Sequence, residues 1–252
     1  MNATTLQKQE NILPGMGVPF TSHPMTGRKE REVLKAIESE PRLASSAQWQ
    51  VFCTLAVMLS SVGSVEFDDN LTLKQKMAKV ETLCLNVGDA FYMYTCIRRQ
   101  AMGEEVKVRV TCPDCQTSNR YTLHLDEFEV QAAESPAELI KQVQLEHPVV
   151  LDGQEYKEAI VKAVNFSPRD AENLTSVEAK CHVMAQCISF PGYEFPVSEE
   201  LLMDQMALQR RELFDLANSV TPGISEDTTL ACSNCERKIP FVISWEFPAF
   251  FA

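Results

Sequence analysis

The chain has 252 residues, 45% of them hydrophobic, with 23 basic against 35 acidic side chains and a formal charge of −12. That length and apolar content suit a globular protein with a substantial core, in one large domain or two small ones. The acidic balance argues against nucleic acid as the main partner, because the summed field repels a phosphate backbone. The longest apolar run, Val51 to Leu59, is too short for a membrane span, and Met1 to Phe20 lacks the basic start and apolar core of a secretory leader. An intracellular location is expected, and an odd count of nine cysteines agrees with a reducing compartment.

Residues 1–25 hold Pro14, Gly15, Gly17, Pro19 and Pro24 with little periodicity and read as an extended arm. Its apolar Ile12, Leu13, Val18 and Phe20 either pack on the body or dock on a partner. Residues 26–104 are expected to form a bundle of four helices joined by short connections. The first runs near Lys29 to Glu38 with Val33, Leu34 and Ile37 on one face; the second is capped by Ser45 or Ser46 and buries Trp49, Phe52, Leu55, Ala56 and Leu59. The third opens with the capping box Thr72-Leu73-Lys74-Gln75 and aligns Leu73, Met77, Val80 and Cys84. The fourth begins near Asp89, carries Phe91, Tyr94 and Ile97, and ends in Arg98-Arg99, where cations complement the helix dipole.

Residues 105–128 change period. Val106, Val108 and Val110 alternate with Lys107 and Arg109, and Tyr121, Leu123 and Leu125 alternate with Thr122, His124 and Asp126, which predicts a hairpin with Cys112-Pro113-Asp114-Cys115 at its tip. Residues 129–227 are read as an insertion. Ser135 to Glu138 predicts a short helix reaching about Leu145; Val149 to Val164, turning at Asp152-Gly153, predicts a hairpin. Two helices follow, one from Ser167 with Leu174, Val177, Cys181, Met184 and Ile188 on a stripe. The other starts at Ser198, with Leu201, Leu202, Met206, Leu213, Phe214 and Leu216 available for burial. Pro222-Gly223 breaks the chain.

Residues 228–252 repeat the hairpin plan around Cys232-Ser233-Asn234-Cys235, with Ile239, Phe241, Ile243 and Trp245 alternating on the way out. The aromatic terminus from Trp245 to Phe251 either seals the hairpins against the helices or anchors a partner. The other five cysteines, Cys53, Cys84, Cys96, Cys181 and Cys187, sit in apolar helical segments and read as small buried hydrophobes.

Cysteines two residues apart on a tight turn can both reach one tetrahedral metal, and two such turns complete a four-thiolate shell. Cys112, Cys115, Cys232 and Cys235 are therefore the predicted ligands of one structural Zn2+. The fold class that follows is α+β, a helical body with a discontinuous four-cysteine zinc ribbon built from two β-hairpins. It is discontinuous because residues 116–231 separate the halves, where an ordinary ribbon has roughly 15 to 20. Two rival readings remain: redox-active pairs, favoured by the Cys-Pro-x-Cys order, and unmetallated knuckles. Four thiolates leave no open position for a catalytic metal.

No catalytic constellation emerges from the rest of the sequence. His23, His124, His147 and His182 form no metal-spaced pair, and there is no Gly-rich phosphate loop, Gly-x-Ser-x-Gly elbow or His-Glu-x-x-His helix. An alternative function is a zinc-ribbon adaptor in transcription or translation. It would use Lys107, Arg109, Arg120, Arg237 and Lys238 as a local basic patch.

The order of motifs resembles the T4-like bacteriophage baseplate hub assembly proteins. The resemblance rests on Leu13-Pro14-Gly15 with Gly17 and Phe20, Val87-Gly88-Asp89-Ala90-Phe91 with Ile97-Arg98, Cys112 to Cys115 followed by Leu123-His124-Leu125, and Cys232 to Cys235 closing in Phe250-Phe251. It implies a non-enzymatic assembly chaperone or catalyst of the baseplate hub. Such a factor would act in the cytoplasm of the infected host, in contact with hub and tape-measure proteins.

Overall fold

The computed structural model describes residues 2–5, 11–168, 176–225 and 228–241. Among them the chain order is β1 (Asn2–Thr5), β2 (Phe20–Ser22), α1 (Gly27–Glu38), α2 (Ala47–Met58), β3 (Leu59–Val62), β4 (Val65–Glu66), α3 (Leu73–Thr82) and α4 (Val87–Met102). Then come β5 (Glu105–Thr111), β6 (Ser118–His124), β7 (Glu129–Ala132), β8 (Ile140–Leu151), β9 (Gln154–Lys162), α5 (Ser176–Cys187) and β10 (Ile188–Ser189). The last elements are α6 (Glu199–Met203), α7 (Ala207–Val220), β11 (Gly223–Ile224), β12 (Thr228–Ala231) and β13 (Lys238–Phe241).

The caps form as their residue types dictate. Thr26, Ser46, Thr72 and Asn86 each accept the backbone amide three residues on, and Gln75 returns a bond to the Thr72 amide. Asn86 is therefore the cap of α4, which starts at Val87, two residues before the expected Asp89. The helix runs past Arg98-Arg99 to Met102, and Arg98 is a buried strut whose guanidinium donates to the carbonyls of Gly103 and Glu105.

The helices surround α2, which is buried on every side from Trp49 to Met58 because α1, α3 and α4 all pack on it. The one-sided stripe expected for it is too narrow. Leu34 and Cys84 correct their assignments: Leu34 is exposed on α1, and Cys84 is exposed beyond the end of α3 at φ 49°. The arm is not loose. β2 pairs with β3 in a small sheet with β4, β1 pairs with β7, and Leu13 and Phe20 are buried in the main core. That sheet interrupts the expected bundle between α2 and α3.

A second core lies beneath the antiparallel sheet β8-β9-β10, against α5, α6 and α7. Asp152 and Gly153, at φ 51° and 80°, make the expected two-residue turn of the β8–β9 hairpin. Ser135 to Glu138, however, yields only a 3-10 turn over Pro136–Leu139. Residues 140–145 then belong to β8, where pairing with β9 outweighs the helix-start signal. The helix expected from Ser198 is two: α6 stops at Asp204, and α7 restarts after Met206, which is exposed, as is Val177 on α5. The predicted start of the preceding helix beyond residue 168, Leu174, and the aromatic terminus lie outside the described residues.

The two cores are joined where Val87 donates to Val164 and Phe166 to Leu85, both backbone bonds. β11 packs directly on α4 at the same place. Gly88 makes this possible, since a Cβ there would run into the Pro222 carbonyl.

Candidate metal centre

Two hairpins carry the site. β5 and β6 pair in register from Glu105↔His124 to Thr111↔Ser118, and β12 and β13 from Thr228↔Phe241 to Ala231↔Lys238. Both are rooted in the main core through Val106, Leu123 and Leu230, and Arg98 fixes the start of β5 to the end of α4.

The tips are built alike. Cys112 donates its amide to Thr117 at 2.9 Å and accepts from Gln116 at 3.0 Å; Cys232 donates to Arg237 at 2.9 Å and accepts from Glu236 at 3.0 Å. Gln116 and Glu236 both sit at φ 59°, in the left-handed region, to close these turns. Such a turn brings the two thiols of each knuckle to the same side.

The structure brings all four sulfurs together: Cys112, Cys115, Cys232 and Cys235 have Sγ atoms within 4.8 Å of one another. Across the hairpins, Cys112 lies 3.7 Å from Cys235 and Cys115 lies 3.5 Å from Cys232. These separations are far beyond a disulfide bond of about 2.05 Å. They match the edge of a tetrahedron with metal–sulfur bonds of about 2.3 Å, which is about 3.8 Å. The four residues could therefore hold a metal ion.

Electrostatics points the same way. The Thr117 hydroxyl and amide, with Asn234, hold the Cys115 thiol down to about 5, and the amides of Cys235 and Asn234 lower that of Cys232. At Cys235 the Arg237 amide favours the thiolate, but the Cys115 thiol, burial, Cys112 and Cys232 outweigh it and push the group up to about 12. Clustered sulfurs cannot all ionise without a cation between them, and a divalent metal would remove that conflict.

Polar residues around the sulfurs, which the sequence reading missed, lock the hairpins together. Asn119 on β6 is buried; its Oδ1 accepts from the Ser233 amide at 2.9 Å and hydroxyl at 2.7 Å, and its Nδ2 donates to Cys232 Sγ at 3.6 Å. The Tyr121 hydroxyl donates to the Ala231 carbonyl at 2.8 Å, and Arg237 pairs with Asp114 across the two tips. The only sequence signal for Asn119 is a polar residue on a strand where an apolar one would be expected. Arg237, once counted in a basic patch, has its charge committed to Asp114, and Arg109 and Arg120 face each other in register.

An α+β protein whose two distant hairpins share a four-cysteine cluster is a structural class and not yet a function. A family profile described as T4 bacteriophage base plate protein matches residues 12–251, and the chain belongs to that family of phage baseplate proteins. No curated protein and no solved structure matches it. Among the described residues no helix is long and apolar enough to cross a membrane.

Proposed function

We propose that this protein is a non-enzymatic assembly factor for the central hub of a phage baseplate, stabilised by one structural zinc ion. Its ligands would be Cys112, Cys115, Cys232 and Cys235. The observation that carries the reading is the family match, which spans both knuckles and both cores. Borderline-soft Zn2+ suits an all-thiolate tetrahedral set, and a four-sulfur shell leaves no position for water or substrate. The metal then acts by clasping residues near 112 to residues near 232. Loop-closure entropy gives such a long tie a large effect on the unfolded chain.

The redox reading has less support, because each knuckle sits on a hairpin tip and, among the described residues, no helix N-terminus adjoins its thiols. Lowered thiol values at Cys115 and Cys232 also suit metal ligation, which requires the thiolate. Partners are hub proteins and the tape-measure protein, and the site of action is the infected cell. An acidic body of charge −12 resists self-association while it covers apolar hub surfaces.

The test uses phage in which this chain is deleted. Electron microscopy of infected-cell extracts should show baseplate intermediates lacking an ordered hub, and adding purified protein should restore complete baseplates. Normal hub assembly without the protein would refute the reading.

A further inference from the structure

The helical body contains a cavity of about 590 Å3 between α1, the end of α2 and the start of α3, far from the cysteine cluster in sequence. Its lining carries four cations, Arg28, Lys29, Lys35 and Lys76, against two carboxylates, Glu32 and Asp69, a surplus of +2 in a chain of −12. The partly exposed Leu71 and Leu73 supply an aliphatic wall.

Charge within it is under-compensated. Asp69 stands 3.3 Å from Lys29 and 3.7 Å from Lys76, so one carboxylate serves two lysines. The lysine side chains are only 18% and 8% exposed, whereas that of Asp69 is 66% exposed. The Lys29 ammonium, followed by His23, holds the Asp69 carboxyl below its ordinary range. Burying an ammonium is costly unless it is paired; Lys29 also lies 3.9 Å from Glu32, but two carboxylates set against four cations leave positive charge over. Arg28 and Lys35 are exposed at the mouth and make no ion pair among the described residues.

We infer that this cavity docks a short acidic segment of a partner protein, with carboxylates meeting Arg28, Lys29, Lys35 and Lys76 and an aliphatic side chain resting on Leu71 and Leu73. Charge complementarity selects an acidic occupant, and Asp69 already shows how a carboxylate sits there. The aliphatic wall selects a peptide over a free anion. Nucleic acid fits poorly, since among the described residues the lining holds no aromatic ring for base stacking. This site stands independently of the hub-assembly role and of metal binding.

The experiment is fluorescence anisotropy of the full-length protein with a dye-labelled peptide of alternating glutamate and leucine. Inorganic phosphate and a single-stranded oligodeoxynucleotide serve as competitors. The proposal expects saturable binding, weakened at least about tenfold by Arg28→Glu combined with Lys35→Glu and unchanged by Lys141→Glu on the exposed face of β8. Both lining positions are exposed, and circular dichroism would confirm that the variant remains folded. Failure to saturate, or indifference to the charge reversals, would overturn the proposal. So would displacement of the peptide by millimolar phosphate, which would make this a simple anion site, or by the oligonucleotide at equal charge.

Discussion

The backbone amide of Gly15 donates to the Asp89 carboxylate across 2.7 Å, joining positions 74 residues apart inside the protein. Asn86 Nδ2 donates to the other carboxylate oxygen at 2.7 Å, so the start of α4 and the arm share one buried acid. Burial pushes the Asp89 carboxyl up from 3.8 to about 6, against the bonds from Gly15, Asn86 and Met16. The folded state thus holds this proton more tightly than the unfolded state does. Its stabilising contribution is complete below pH 3.8 and is lost as pH rises through about 6, a change of about 3 kcal/mol. Urea midpoints measured from pH 4 to 7 should show this loss in the native protein and a flatter profile in Asp89→Asn, whatever the variant's overall stability. Parallel profiles would show that Asp89 is not the titrating group.

Gly88 lies against Pro222-Gly223 so closely that a Cβ on Gly223 would meet the Gly88 Cα at 2.7 Å. Gly88→Ala must push α4 and β11 apart, backbone from backbone. A cost of about 1–3 kcal/mol follows, lowering Tm by about 2–12 °C. Gly27→Ala, with nothing within 4 Å of the added carbon, is the control and should leave Tm nearly unchanged.

Asn119→Ala removes both acceptor bonds from Ser233 and the donor bonds to the Thr117 carbonyl and to the buried Cys232 Sγ. Stability should fall by about 1–3 kcal/mol, and metal affinity by about 10–100-fold, as when other groups that orient ligands are removed. Competition with a chromophoric chelator would measure the second effect. Unchanged affinity would mean that Asn119 only packs.

Glu236 closes the second knuckle at φ 59°. Glycine adopts that conformation without the side-chain penalty, although it loses more entropy on folding. Glu236→Gly should therefore raise Tm by about 1–2 °C, a net gain of about 0.5 kcal/mol, as read by scanning calorimetry.

Much of the local structure was legible because its causes are local. The Thr72–Gln75 box, the Asp152-Gly153 turn, the first knuckle hairpin and the second as far as Phe241 depend on neighbouring residues and form as read, and of Ser45 and Ser46 it is Ser46 that caps α2. What stayed hidden was set at long range. Trp49 to Met58 looks like one apolar face until three helices cover every side of it, and Ile140 to Leu145 becomes a strand only because β9 lies beside it. The cysteine spacing announced the cluster, but the Asn119–Ser233 clasp joins residues 114 apart by ordinary polar side chains that carry no pattern. Contact between the arm and α4 also lies behind the two motifs Leu13-Pro14-Gly15 and Val87-Gly88-Asp89, which neither motif reveals alone.

Native mass spectrometry of the purified full-length protein, before and after acidification, tests the metal centre most directly. One zinc ion per chain, released with acid and absent from a Cys112→Ser, Cys232→Ser variant, is the predicted result. A metal-free chain whose four clustered cysteines are isolated as two disulfides would contradict it.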